Sequence, residues 1–434
     1  MSVRPVRSVA IVNPLADFGI NQYSHELAEA LGGIGIRTAY YTGSAAGLPY
    51  PRNYRRIPGL GSVLLKQGYW FGAEAPPDGP DPSCSRPAAD WVSEAMSTLG
   101  PDSARKSWHA PQSAWRGLIL TAELALHLRL SGFDAVVTQW PAMDCYRSFW
   151  TACRRLGLFL AHMVHNVVPH EKGRQGTGSE EAFEGSHMLL TTSEWGRRQL
   201  CALHPELAGR IGVSRIGLYT MYPRFADVRD RVRRQLRVDP GDPLILFCGA
   251  IRPYKNLDGI LDAMPSELLR HATLVVAGVE SHYPDLDPHD PLGRARRRAN
   301  ELGISHRLRL IPRHTTNSEL AELLEASDIV ALPYLKEYTS GSAVLPLAMS
   351  FGKFVVATNT SGFDEYLAQY PRSILLSDTS AGTIGSGLAA AAERLSPAPA
   401  EGPFLPDLQW PAIARQLVAD IQSARAANTG DWAC

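Results

Sequence analysis

The chain has 434 residues, too many for one ordinary domain and suited to two or three. Hydrophobic residues make up 45% and charged residues 20% of it, which excludes a wholly disordered chain, a coiled coil and a collagen-like fibre. The 43 Lys and Arg balance the 43 Asp and Glu, so no overall field draws the protein to nucleic acid or an anionic membrane; a local peripheral membrane contact stays open.

The run SVAIVNP (8–14) reads as a buried strand, LADFGINQ as the loop after it, YSHELAEALGGIG as a helix and IRTAYYT as a second strand, together a βαβ opening. Residues 73–111 then break the rhythm. Seven prolines fall between Pro76 and Pro111, with Trp91 and Trp108 among them and Trp70 and Trp115 nearby. Such a stretch is an insertion, serving either as the rim of a binding cleft or as a surface loop with its tryptophans tucked inward. Strand patterns resume at DAVVTQW (134–140), FLAHMVH (159–165) and HMLLTTS (187–193). They continue at PLILFCGA (243–250), ATLVVAGV (272–279), RLRLIP (307–312), DIVALPY (328–334), KFVVAT (353–358) and SILLS (373–377). Continuous apolar strands between helical patterns mean parallel sheets covered on both faces.

The charged segment VRDRVRRQLRVDPGDP (228–243) ends in Pro and Gly and feeds a fresh strand, which sets a domain boundary near 225–242. The expected fold class is therefore α/β, two Rossmann-like doubly wound domains, 1–225 and 240–405, facing across a cleft, with a terminal helical segment at 406–434. Open α/β sheets bind ligands outside the carboxyl ends of their strands, so two facing sheets would make one site. The GxGxxG fingerprint and the Walker loop are both absent, which counts against a dinucleotide dehydrogenase and a P-loop NTPase. The six cysteines form no CxxC pair and no zinc-type grouping, and Cys248 reads as a core thiol, which fits a reducing compartment. The opening apolar stretch is too short for a signal peptide and no run of about 20 apolar residues exists, so a cytoplasmic location is expected.

Four stretches carry candidate chemistry. In GAIRPYKNLDGILDAM (249–264) a strand ends at Gly249, Arg252 and Lys255 follow, and a helix begins near Asn256. Two cations at a strand's carboxyl end beside a helix N-terminus make an anion clamp, with a diphosphate as its natural guest. The small-residue turn Thr339-Ser340-Gly341-Ser342 precedes a helix whose first free N–H groups, at Gly341, Ser342 and Ala343, suit a phosphate. HMVHNVVPHE (162–171) delivers His165 to a strand end, with His170 and Glu171 behind it as candidate general bases. ADFGINQ places Gly19 ahead of the first helix, where it admits a close backbone approach. Two further clusters carry less: Asp285 and Asp287 sit in a Pro-rich loop, and Arg294, Arg296, Arg297 and Arg298 read as a solvated helix face.

Together these stretches resemble, in order and across nearly the whole chain, the GT-B glycosyltransferases of family 4 (glycosyl transferases group 1). The matching pieces are FGINQYSHELAEAL, HNVVPHE, TTSEWGRRQL, FCGAIRPYKNLDGILDA, EASDIVALPY, SGSAVLPLAMSFGKFVVAT and SGFDEYL, and DLQWPAIARQLVADI resembles the family's last helices, which cross back to the first domain. The resemblance implies transfer of a sugar from a nucleotide-diphosphate donor to a sugar, lipid-linked or small-molecule acceptor, with no nucleic acid partner and no metal or other cofactor. By position it implies that Arg252 and Lys255 hold the donor diphosphate, that Gly249 and the Thr339–Ala343 turn line the donor, that His165 contacts the transferred sugar, and that Gly19 lines the reaction centre. Two family glutamates eight positions apart are replaced here by Thr339 and Leu347; Leu347 cannot grip a ribose, and Glu337 or Glu365, the latter in a recurring acidic position, is left to compensate. Retention fits the wider family, whereas HNVVPHE also fits an inverting subgroup that would use His170 or Glu171 as base. The replaced glutamates leave a second reading open, a non-catalytic nucleotide-sugar-binding or scaffold protein on the same fold; a phosphorylase or epimerase of similar architecture is a third.

Overall fold

A computed structural model describes residues 4–13, 18–42, 48–57, 114–139, 147–167, 179–279, 290–335, 341–395 and 405–427. The chain divides into two compact units: the first takes the described residues up to Gly217 together with those from Pro406 onward, and the second spans Leu218–Leu405. Each is built on one parallel sheet.

In the first unit the strands are β1 (Ser8–Asn13), β2 (Arg37–Thr42), β3 (Arg55–Ile57), β4 (Ala135–Thr138), β5 (Phe159–Val164), β6 (Met188–Thr191) and β7 (Ile211–Val213). Their order is β3-β2-β1-β4-β5-β6-β7, with every pair parallel. The helices are α1 (Phe18–Gly33), α2 (Ala114–Leu130), α3 (Arg147–Arg155), α4 (Ser179–Gly185) and α5 (Glu194–Leu203). In the second unit β8 (Leu244–Cys248), β9 (Thr273–Ala277), β10 (Leu308–Ile311), β11 (Ile329–Leu332), β12 (Phe354–Thr358) and β13 (Ser373–Leu376) form the parallel order β10-β9-β8-β11-β12-β13. Its helices are α6 (Val228–Gln235), α7 (Leu257–Ala263), α8 (Pro291–Glu301), α9 (Asn317–Ala326), α10 (Val344–Ser350), α11 (Phe363–Leu367) and α12 (Ala381–Glu393). The last described helix, α13 (Trp410–Ala427), belongs to the first unit.

The strands form where the sequence is apolar and β-branched because both faces of each central strand are buried. Ile245 and Phe247, Leu274 and Val276, and Ile329 and Ala331 alternate onto one face and meet Ile260, Leu261 and Leu388 from the helices. The intervening Leu246, Val275 and Val330 are equally buried on the other face. In the first unit Ala10, Val12, Val136, Leu160 and Leu189 pack with Leu124, Leu128 and Trp150 in the same way.

Three elements differ from the sequence reading. Strands β3 and β7 carry only three residues each, RRI and IGV, and such short edge strands show no apolar run. The charged segment taken above as a domain boundary is helix α6 of the second unit. Its charges are satisfied at long range: Asp328 accepts from Arg229 at 2.5 Å, from Arg233 at 3.1 Å and from the Leu244 N–H at 2.8 Å, and Arg231 reaches the buried Glu322 at 2.9 Å. A charge run is legible as a solvated stretch only when its partners are near in sequence, and these lie about ninety positions away.

Helix α13 packs on α1, where the Trp410 ring meets Tyr23 edge-on at 5.4 Å. It fits because Gly217 offers no side chain; a Cβ there would lie 2.7 Å from the indole. A tighter constraint operates in the second unit. Gly278, at the carboxyl end of β9, has φ +157, and a Cβ on it would meet the Gly249 carbonyl oxygen at 1.9 Å. Backbone cannot yield there as a flexible side chain would. Gly278→Ala should therefore lose about 1–3 kcal/mol of stability. Gly241→Ala, at a site open to solvent on all sides, should stay within about 0.5 kcal/mol of the parent. Urea melts of the two variants check the pair, and equal stabilities would contradict the backbone contact.

Candidate functional site

A doubly wound sheet leaves a crevice where its strand order reverses, outside the carboxyl ends of the two central strands. These points are β8/β11 in the second unit and β1/β4 in the first.

At the β8/β11 crevice, Gly249 turns the chain with φ +92, a conformation that favours glycine. Arg252 follows in extended backbone, and Pro253–Lys255 make one 3-10 turn. Asn256, itself left-handed with φ 59, ends that turn and caps α7 by accepting from the Gly259 N–H at 3.2 Å. This geometry tucks Lys255 inward, and only 6% of it stays exposed. Its ammonium lies 5.7 Å from the centre of the buried Tyr334 ring, at the end of β11. The Tyr334 hydroxyl is 3.2 Å from Ser342 Oγ in the turn that leads to α10. A Cβ on Gly249 would lie 3.1 Å from Lys255 Nζ and 3.5 Å from Val344 Cγ2. Gly249, Lys255, Ser342 and the start of α10 are thus brought to one place, with Tyr334 as their common wall.

Burial pushes the Lys255 pKa down to about 8; Cys248 opposes the shift in part, and Arg252 adds a smaller lowering. Among the described residues no carboxylate contributes to that balance. A cation removed from water with no anion beside it is costly, and an incoming anion recovers the cost. Ala343 begins α10 without a side-chain cap. Glu365 lies half-buried in α11, beyond the carboxyl end of β12, behind the left-handed pair Ser361 (φ 56) and Gly362 (φ 78). Leu347 is buried within α10, 3% exposed.

Among the described residues, the side chains bonded to one another at the β1/β4 crevice are uncharged polar groups, with the buried Arg56 acting on Tyr40. Asn13 ends β1 and bonds Asn21 of α1 at 2.7 Å, and the Tyr40 hydroxyl donates to the same Asn21 oxygen at 2.6 Å. Gly19 stands in the first turn of α1. Gln139 follows β4 directly and is fully buried. Its Oε1 is 2.7 Å from Nε2 of His165, which follows β5. The His165 ring also meets Tyr23 edge-on at 5.5 Å. His165 keeps some exposed surface, yet burial pushes its pKa down to about 3, so it is neutral at physiological pH. The adjacent His162 is likewise held near 3, by burial first and by His165 second, and bonds Thr138 at 2.8 Å.

The residues that sequence reasoning missed are Gln139, Asn13, Asn21, Tyr23 and Tyr334. For the first two a signal existed: each is a polar residue closing an apolar run at a central strand's carboxyl end. His170, Glu171, Thr339, Ser340, Glu337, Asp285, Asp287 and the 73–111 insertion lie outside the described residues. In the basic helix, Arg294 pairs with Asp258 at 3.4 Å and Arg298 with Asp262 at 2.7 Å, which agrees with a solvated, ion-paired face.

Comparison with known proteins places this geometry in a class. Solved structures match over nearly the whole chain: the catalytic domain of starch synthase IV from Arabidopsis thaliana, bound to ADP and acarbose, at 12% identity, covering 98% of this chain and 100% of that one with a TM-score of 0.65; and HepE of Anabaena in complex with UDP at 13% identity, 98% and 99% coverage and a TM-score of 0.60. The two parallel sheets are thus a GT-B fold. Residues 228–393, all within the second unit, match the family model for glycosyl transferases group 1. Among curated relatives, D-inositol 3-phosphate glycosyltransferase of Mycobacterium ulcerans (strain Agy99) is 27% identical over 224 residues, 49% of this chain and 46% of its own length. The enzyme of the same name from Jonesia denitrificans is 26% identical over 310 residues, 65% and 70%. The chain spans about half the length of the first of these.

The sign of the Lys255 shift makes a test. A lysine whose pKa is lowered to about 8 is charged below that pH and neutral above it. Binding of a nucleoside diphosphate, itself fully ionised by pH 8, should weaken by up to about tenfold per pH unit above the lysine's pKa and draw in protons there. Calorimetry in buffers of different ionisation enthalpy reads both effects. Lys255→Met should abolish the proton uptake while folding at least as stably as the parent, because an unneutralised buried cation has been removed. A pH-independent affinity from 7 to 10 would contradict the assignment.

Proposed function

We propose that this chain is a glycosyltransferase that moves a sugar from a nucleoside-diphosphate donor to an acceptor hydroxyl. The observation that carries the reading is the buried Lys255 ammonium at the β8/β11 crevice, inside the region matched to glycosyl transferases group 1. Breaking the bond between the sugar and its diphosphate puts negative charge on the leaving oxygen. Fixed cations that already face that oxygen in a dry crevice stabilise the charge without reorganising. Arg252 and Lys255 supply that charge, so the reaction as we read it needs no metal ion. The relatives named inositol phosphate glycosyltransferases, and the neighbours holding UDP or ADP, support the donor class.

His165 is assigned to the transferred sugar. Its low pKa makes it a weak base, unsuited to taking an acceptor proton but well suited to hydrogen bonding a sugar hydroxyl as a neutral ring. Retention is the outcome we favour, because it fits the wider family that the chain resembles; inversion would need a general base near the acceptor, for which His170 and Glu171 are the candidates. The acceptor is a sugar, a lipid-linked group or a small molecule.

Thermal melts with UDP, GDP, ADP, CDP and dTDP test the donor class. A ligand at 100-fold excess over its dissociation constant adds about 2.7 kcal/mol to the stability of the folded state. One nucleotide of the panel should raise the melting temperature clearly, and its sugar conjugates should be turned over. Arg252→Ala should fold normally and lower turnover by about 100-fold or more. No shift with any nucleotide, or full turnover in that variant, would sink the reading; binding without turnover would favour a non-catalytic nucleotide-sugar-binding role.

A further inference from the structure

We propose that Gln139 is a positioning residue for His165: it holds the imidazole as the Nε2-protonated tautomer, so that Nδ1 is left as a hydrogen-bond acceptor for a donor hydroxyl of the ligand. The assignment of a sugar as that ligand rests on the function proposed above; the tautomer lock does not.

The argument starts from an imbalance. Gln139 is fully buried, yet among the described residues its side chain has a single partner, the 2.7 Å bond between its Oε1 and His165 Nε2. Its amide Nε2 is buried with no hydrogen-bond partner among the described residues. A carboxamide taken out of water for one bond is a poor structural device, since an apolar side chain of similar size would fill the same volume without leaving an N–H unsatisfied. What the carboxamide supplies, and no apolar side chain can, is a fixed acceptor for one imidazole nitrogen. A neutral histidine has one N–H and one lone pair, and whichever nitrogen is tied up decides what the other offers. With Oε1 accepting at Nε2, the proton stays there and Nδ1 presents its lone pair. Among the described residues none bonds Nδ1.

The surroundings hold the ring for this task. Gln139 is anchored by its own N–H, which donates to the Val12 carbonyl at 3.0 Å, so the carboxamide hangs from β4 at its junction with β1. Tyr23 meets the imidazole edge-on, and its hydroxyl is pinned at 2.9 Å from Ser214. Trp410 of α13 backs Tyr23 from the other side. The titratable ring closest by, His162, has its Nδ1 engaged by Thr138 and does not compete for Gln139.

Nitrogen-15 NMR of the full chain, with the imidazoles labelled, reads the tautomer without any ligand. In the parent His165 should show a pyrrole-like, protonated Nε2 and a pyridine-like, bare Nδ1, unchanged from pH 5 to pH 8. Gln139→Met, close in volume and unable to accept, should give an averaged pair of signals. Gln139→Glu should restore the protonated Nε2 and move the His165 titration upward into the accessible range, because a carboxylate now faces the ring. Should Gln139→Met fail to fold, the glutamate variant and the parent spectrum decide the matter. A parent spectrum with the proton on Nδ1, or a glutamate variant that leaves His165 untitratable, overturns the proposal. Kinetics then test the coupling to function: Gln139→Met should lower kcat/KM for a sugar nucleotide by about tenfold, with Gln139→Glu recovering most of it at high pH. If the spectra behave as stated but no sugar nucleotide is turned over, the tautomer lock stands and the transferase reading falls.

Discussion

An ammonium group kept out of water, with no carboxylate beside it among the described residues, is the constraint around which the second unit is arranged. Lys255 cannot be there for stability, since burial disfavours its charged form and the nearby Arg252 disfavours it further. Everything that holds it in place belongs to backbone that has no alternative. Gly249 must turn with positive φ, Gly278 must lack a side chain so that the Gly249 carbonyl can pass, and Asn256 must take a left-handed conformation to end the turn and begin α7. The two glycines meet their demands directly after the central strands β8 and β9, and Asn256 meets its own at the start of the following helix. The core of Ile245, Phe247, Leu274 and Val276 is what makes that rigidity affordable.

Much of this was legible in the sequence. The central strands announced themselves because burial on both faces requires unbroken apolar, β-branched runs. Arg252 and Lys255 announced themselves as cations just beyond such a run. The edge strands β3 and β7 were not legible, because three residues cannot show a pattern. Helix α6 was taken for a connection because its arginines are satisfied by Asp328 and Glu322, whose partnership is set by the fold rather than by spacing. Gln139 was passed over for a related reason. A glutamine after AVVT is ordinary until His165, twenty-six positions on, is found against its oxygen. Tyr334 reads in sequence as the end of a strand, and only the cation–π contact makes it a wall of the anion crevice.

The two crevices have opposite electrostatic characters although the two sheets share one topology. At β8/β11 the buried groups are a lysine and an aromatic ring, with an arginine in the adjoining turn, and the field there selects a negative ligand. At β1/β4 the bonded groups among the described residues are amides, hydroxyls and a histidine held neutral by desolvation, so recognition there depends more on hydrogen-bond direction. A charged ligand gains little at the second crevice and a neutral polyol gains little at the first. A molecule that joins a diphosphate to a sugar carries one group suited to each kind of surface. On the function proposed above, the tasks separate by residue: the cations would set how well the leaving group is stabilised, and the network around Gln139 and His165 which hydroxyl pattern is accepted. Changes in the second set should alter the choice of sugar more readily than the chemistry of bond breaking, because neutral hydrogen bonds discriminate by leaving polar partners unpaired when the wrong hydroxyl arrives.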